Sequence, residues 1–173
     1  MQKKSIRNLT ATALIAALYA ALTLTLAPLS FGAVQIRISE ALTVLPAVCP
    51  PAIWGLTLGC FLSNIIGFFA GLNPLGLIDC VVGSLATLLA AVATYYIGKY
   101  FKGKALYLLA PLPPVLFNGL IIGVEVAVLV LGNTSALAIL LSCAYVALGE
   151  LVACYLGGSL LLKSSSAYFK KYF

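Results

Sequence analysis

The chain has 173 residues, 63% hydrophobic and 8% charged, with a mean hydropathy of +1.15. That profile excludes an ordinary soluble globular domain and leaves no room for a soluble catalytic domain beside a membrane-embedded one. Ten Lys and Arg against four acids give a net charge of +6; with no aromatic-interleaved basic patch to grip phosphates, the excess reports membrane topology and not a nucleic-acid partner.

The first apolar run covers residues 9–26 behind Lys3, Lys4 and Arg7. It is longer than the ~7–15 residues of a signal-peptide core, so it reads as a retained first helix. A short second segment follows at residues 39–48. It falls short of the ~20 residues of a perpendicular crossing and contains Pro46, which implies tilt, a kink or extension through the flanking loop. Longer spans are predicted at residues 52–69, 75–97, 106–131 and 135–162. Each break carries helix-breaking chemistry: Pro28 with Gly32, Pro50 with Pro51, Gly71 with Asn73 and Pro74, and Gly132 with Asn133.

Charge sets the count. Lys3, Lys4 and Arg7 precede the first span, Lys99, Lys102 and Lys104 separate the fourth from the fifth, and Lys163, Lys170 and Lys171 follow the sixth. Six crossings put these clusters on one face, with nine of the ten cations inside and Arg37 alone outside. The expectation is an all-α integral membrane protein: a single domain over residues 1–173, six transmembrane helices in one bundle, both termini cytoplasmic.

The four acids are the informative residues. Asp79, Glu125 and Glu150 lie within apolar spans, and Glu40 opens the short second one. An acid in hydrocarbon is costly and is normally kept where it faces a cavity or a partner. With the expected topology, Glu40 and Asp79 start helices at the outer surface, Glu125 lies about two turns from the outer end of its helix, and Glu150 is near mid-span. Asn64 and Asn118 join this set, and the seven-residue spacing places Asn118 and Glu125 on one helix face. These groups converge on the outer half and predict a pocket open to the outside. A surface pair with Arg37, three residues away, is the simplest alternative role for Glu40.

Carboxylates accept at both oxygens and make strong charge-assisted bonds, so the set suits a ligand with several N–H donors or a positive charge. A guanine-like edge matches one carboxylate in bidentate fashion, an ammonium takes a second, and the Asn118 amide can donate to a ring carbonyl. A proton relay fits less well, because the acids crowd to one side and histidine is absent. The five cysteines show no C-x-x-C spacing, so no disulfide scaffold, metal site or cofactor is expected, and they read as packing residues. No nucleophile elbow or H-E-x-x-H motif argues for an enzyme.

No phosphate-binding G-x-x-x-x-G-K-[ST] loop supplies energy either, so a pump built on this chain must borrow its motor. Ala13, Ala17 and Ala21 repeat every four residues on the first helix, a spacing that lets another helix approach closely.

The run FGAVQIRISEAL over residues 31–42, with Gln35, Arg37, Ser39 and Glu40, resembles the signature of the QueT family. Gly59-Cys60 with Ser63-Asn64, Leu77-Ile78-Asp79 with Gly83-Ser84-Leu85, Pro114 with Asn118-Gly119, and Gly149-Glu150 are similar to the same family. These are the substrate-binding membrane subunits, or S-components, of energy-coupling-factor (ECF) transporters for queuosine precursors. The resemblance implies a six-helix S-component in a bacterial cytoplasmic membrane, with an outward-facing site closed by the loop between the first two helices. It implies a 7-deazaguanine ligand such as 7-aminomethyl-7-deazaguanine, with Arg37 orienting Glu40 or touching the ligand. It also implies that Ala13, Ala17 and Ala21 meet a transmembrane coupling subunit, which carries two cytosolic ATPases. The histidine used near the amino end by cobalt and nickel S-components is absent. The residues by themselves leave open another vitamin-like solute, or an ion-coupled stand-alone carrier.

Overall fold

The computed structural model describes residues 2–32 and 36–172, all helices and turns, with no strand among them. Ala33, Val34 and Gln35 of the signature run lie outside the described residues, as do the side chains of Lys3, Lys170 and Lys171. In chain order the elements are α1 (Gln2–Thr25), α2 (Ala27–Ser30), a 3₁₀ helix (Ile38–Ala47), α3 (Ala52–Phe69), α4 (Gly76–Tyr100) and α5 (Gly103–Leu109). Next come α6 (Leu112–Glu125), continued by a π-helical stretch (Val126–Val130), and α7 (Ala136–Leu151). A second π stretch (Val152–Gly158) joins α7 to α8 (Ser159–Tyr172).

Among the described residues, five helical stretches are long and apolar enough to cross a membrane: Lys4–Thr25, Ala52–Phe69, Gly76–Tyr100, Gly103–Val130 and Ala136–Ser165. They match five of the six expected spans. The sixth is the ten-residue 3₁₀ helix, too short to count with the others by length. Large apolar side chains face outward all round the bundle, among them Leu14, Leu85, Leu120, Leu140 and Leu160, as a lipid solvent requires.

Contacts give the short helix its place. Its start lies beside the carboxyl end of α1, where Ser39 and Thr23 hydroxyls are 2.7 Å apart. Its far end passes the middle of α1 and the start of α3, in a core of Ile15, Leu45, Cys49 and Leu56. It therefore runs antiparallel to α1. At about 2.0 Å per residue, ten 3₁₀ residues cover ~20 Å, against ~15 Å for an α-helix of the same length. Tight winding is what lets so short a segment reach so far.

Close approach elsewhere rests on missing side chains. Gly55 and Gly59 on α3 sit on α1, where an added Cβ would lie 2.9 Å from Ile15 Cβ and 2.7 Å from Tyr19 Cβ. Gly123 on α6 faces the Cys143 backbone of α7 at 2.4 Å in the same sense. Both are small-xxx-small packings of the kind that hold helices together in lipid.

One end of the bundle gathers the starts of α1 and α3 with the α4–α5 turn: the Thr12 hydroxyl donates to Pro51 O at 3.1 Å, and Lys99 and Lys102 border a cleft with Pro46, Val48 and Pro50. Leu162 and Phe169 of α8 pack there with Val44, Val48 and Leu106. Lys4, Arg7, Lys104 and Lys163 lie at or beyond this end by their places in the same elements. The opposite end holds Arg37 and the start of α4.

Candidate functional site

The 3₁₀ helix carries Glu40 into the interior. Its side chain is fully buried, accepts a hydrogen bond from the Tyr19 hydroxyl of α1, and has its backbone carbonyl bonded by Cys154 Sγ at 3.4 Å. A surface pair with Arg37 is therefore not what forms. Arg37 turns to the first turn of α4, where its guanidinium meets Asp79 at 3.1 Å, while its Nε donates to Ser30 O at 3.3 Å. Burial explains the choice: a guanidinium that is 4% exposed needs a carboxylate in direct contact, and Glu40 is already held by Tyr19.

Asp79 is gripped from two further sides. The Asn73 amide donates to the same carboxylate oxygen at 2.8 Å, and Asn64 Nδ2 on α3 donates to the Asp79 backbone carbonyl at 2.9 Å. Gly83, one turn along α4, leaves the space: a Cβ there would lie 2.3 Å from Asp79 Oδ1. Phe31 lies beneath the Arg37 guanidinium at 5.4 Å and is buried, so its ring serves the cation in this arrangement.

On the other side of Glu40, Asn118 of α6 donates to Glu150 of α7 at 3.1 Å, and Cys154 Sγ lies 3.6 Å from the second Glu150 oxygen. Glu125 closes the set. It is 6% exposed, and neither of its oxygens has a hydrogen-bond partner among the described residues. It borders an apolar groove of about 540 Å³ between α4 and α6, with Ile78, Val82, Ile121 and Val124. Arg37 and Asp79 lie close enough to act on the charge of both Glu40 and Glu125, and Arg37 and Glu40 on that of Glu150.

The structure thus brings Arg37, Glu40, Asn64, Asp79, Asn118 and Glu150 into a buried network, with Glu125 at its margin. The unpartnered atoms within it are Glu40 Oε2, Asn64 Oδ1, Asp79 Oδ1, Asn118 Oδ1 and both Glu125 oxygens. Every one is an acceptor. With the Ser30 hydroxyl beside Arg37 the unpartnered donor next to them, spare acceptors predominate, which suits the arrangement to receive hydrogen-bond donors.

Sequence reasoning missed Tyr19, Asn73, Ser39 with Thr23, and the polar role of Cys154. Tyr19 had a signal available, a lone phenol in a helix otherwise made of Ala, Leu and Thr at that depth; Asn73 read only as a turn residue. It also missed the local winding: α6 and α7 turn π-helical directly after Glu125 and Leu151, next to the two deep acids. Such departures often accompany functional sites. Outside the network, Ala13, Ala17 and Ala21 form an exposed strip on α1, while Ala16 and Ala20 are buried beside it.

The model of the QueT transporter family matches residues 9–166. The chain belongs to the QueT transporter family. With five apolar spans it is a multi-pass membrane protein of a transporter family. It is similar to a protein described as a queuosine precursor transporter, QueT, of Lactococcus lactis subsp. cremoris (strain MG1363). The two are 34% identical over 90 residues, covering 51% of this chain and 49% of that relative. The match thus spans about half the length of the relative. No solved structure matches the chain.

Proposed function

We propose that this chain is the ligand-capturing S-component of an ECF-type importer, binding a queuosine precursor of the 7-deazaguanine class from outside the cell. The observation that carries the reading is the acceptor-rich network inside a QueT-family bundle. A 7-deazaguanine presents adjacent ring and exocyclic N–H groups on one edge and a pyrrole N–H on another, the donors that such a network is short of. Asp79, Glu125 and Glu150 would meet those groups, with Asn64 and Asn118 completing the set and Arg37 and Glu40 holding the mouth. In this reading the 3₁₀ helix is the sixth crossing, so both termini are cytoplasmic, with the Lys-rich end inside the cell. The exposed Ala13, Ala17 and Ala21 strip would meet a transmembrane coupling subunit, which brings two cytosolic ATPases; this chain contributes no nucleotide site of its own.

The test is calorimetry on the purified full chain with 7-deazaguanines and, separately, thiamine and riboflavin. Tight, saturable binding of a deazaguanine with no response to the vitamins is expected. Binding of a vitamin alone would overturn the assignment of the ligand. Uptake into vesicles by the chain alone, without any ATPase, would overturn the coupling.

A further inference from the structure

The lysine-rich end carries charge that no acidic side chain neutralises. All four acids are buried in or beside the polar network, and Arg37–Asp79 is the one ion pair among the described residues, so Lys99, Lys102, Lys104 and Lys163 stand without a carboxylate. Two of these lysines, on the last turn of α4 and just past it, line a cleft of about 300 Å³ with Pro46, Val48, Pro50 and Tyr95. Its floor is a contact between backbones: a Cβ added to Gly98 would lie 2.1 Å from Ala47 O. The 3₁₀ helix and α4 both end here. The N–H groups of Val48 and Cys49 are already bonded to Leu45 O at 2.9 and 2.8 Å, and Pro50 and Pro51 have none. Charge for an incoming group therefore comes from the two ammonium groups. Lys102 Nζ gives one proton to Gly98 O at 2.6 Å, and Lys99 Nζ lies 5.7 Å from the Tyr100 ring. An ammonium has three protons to donate, so both retain capacity for an anion.

We propose that this cleft holds the phosphate of an anionic phospholipid, drawn from the leaflet at the lysine-rich end. Depth supports a lipid: the apolar stretch of α4 ends at Tyr100, which sets Lys99 and Lys102 at the boundary between membrane and water. Tyr96, Tyr100 and Phe101 are exposed around them, with the Tyr96 and Tyr100 rings stacked 6.4 Å apart, as aromatic side chains are placed at that boundary. The volume is at the lower end of the ~300–1,000 Å³ of small-molecule sites, room for a headgroup and not for the acyl chains. Those chains would continue over the apolar outer surface of α4, where Leu85 and Leu89 are exposed. A soluble phosphate would meet the same ammonium groups and leave the apolar wall of Pro46, Val48 and Pro50 unused. A zwitterionic headgroup brings its own cation beside its phosphate and gains less. Each lysine near a membrane surface favours an anionic lipid roughly fivefold, so the pair gives roughly thirtyfold.

The experiment titrates the purified full chain, in detergent at about 0.15 M salt, with phosphatidylglycerol or phosphatidylcholine, and counts bound lipid by native mass spectrometry. The wild type is expected to bind phosphatidylglycerol at least about tenfold more tightly. Lys99→Gln should lower that affinity about fivefold and Lys99→Arg should preserve it. Lys4→Gln removes the same charge eight residues before Thr12, about 12 Å along α1, and should change the affinity by less than about twofold. Equal affinities for the two lipids in the wild type would overturn the proposal and leave the cleft to the acidic side chains of a protein partner. Losses of the same size in Lys4→Gln and Lys99→Gln would reduce the effect to diffuse attraction and remove the cleft as a site. A third arm adds inorganic phosphate at constant ionic strength. Retention of the lipid is expected, and its displacement would assign the cleft to a free anion and overturn the lipid.

Discussion

At the lysine-rich end, Val44, Val48, Leu106, Ala110 and Leu162 form an apolar cluster, edged by the buried Thr94 hydroxyl, which donates to Ala110 O. At the other end the same 3₁₀ helix and the same neighbours meet through Arg37, Glu40, Asp79, Asn118 and Glu150, nearly all of them inaccessible to solvent. Lipid outside the bundle is as apolar as a leucine core, so the first region is held by close packing and shape. The second is held by pairing, and each of its members depends on a partner from a different helix. Packing can be perturbed one methyl group at a time; a paired network fails by leaving a charge exposed to hydrocarbon. The apolar end is suited to fixing the helices, and the polar end to changing its contacts when a ligand enters.

The largest separation between the two should come from Arg37→Gln. Asp79 would stay buried with no cation beside it, and a loss of about 3–5 kcal/mol is expected. Unfolding in detergent should report it, and deazaguanine binding should be lost as well. A loss under about 1 kcal/mol would mean the polar end tolerates an unpaired acid, and the contrast would fail. Leu162→Ala should cost a comparable or slightly smaller amount, about 2–5 kcal/mol, by leaving a cavity in the apolar cluster. Its ligand affinity should be unchanged in the folded fraction, which distinguishes the two ends more sharply than the stability loss itself. The smallest effect on the isolated chain is expected for Ala17→Leu on the exposed strip, within about 0.5 kcal/mol and with normal binding. Co-purification with the coupling subunit and ATPases should nonetheless fail; undisturbed assembly would move the docking surface elsewhere on the molecule.

Much of the apolar architecture could be read in advance because hydrophobic runs and breakers are local signals. The run at 52–69 matches α3, and Pro50-Pro51 and Gly132-Asn133 do interrupt the helices. The acids were recognisable as a group because so few occur and because the bilayer makes each one costly. Their partners were not. Arg37 and Asp79 stand 42 positions apart, and nothing in the spacing separates that pair from Arg37 with Glu40. Tyr19 meets Glu40 only because the short helix folds back along α1. The 3₁₀ and π windings were likewise invisible, since they answer to neighbouring helices and not to local propensity.

The winding of the 3₁₀ segment also fixes how far a disturbance travels. With three residues per turn, side chains three apart line up in rows, so the segment has a triangular section instead of one apolar and one polar side. Its surfaces touch α1 through Ser39 and Glu40, α4 through Ala47 against Gly98, and the π stretch after α7 through Ala41 and Val44 against Gly157 and Gly158. A thin rod gripped on every side cannot slide or rotate alone. Inserting one residue at its start would swing every row by about 120° and misalign three interfaces together, which makes this the stretch of chain least tolerant of a change in length.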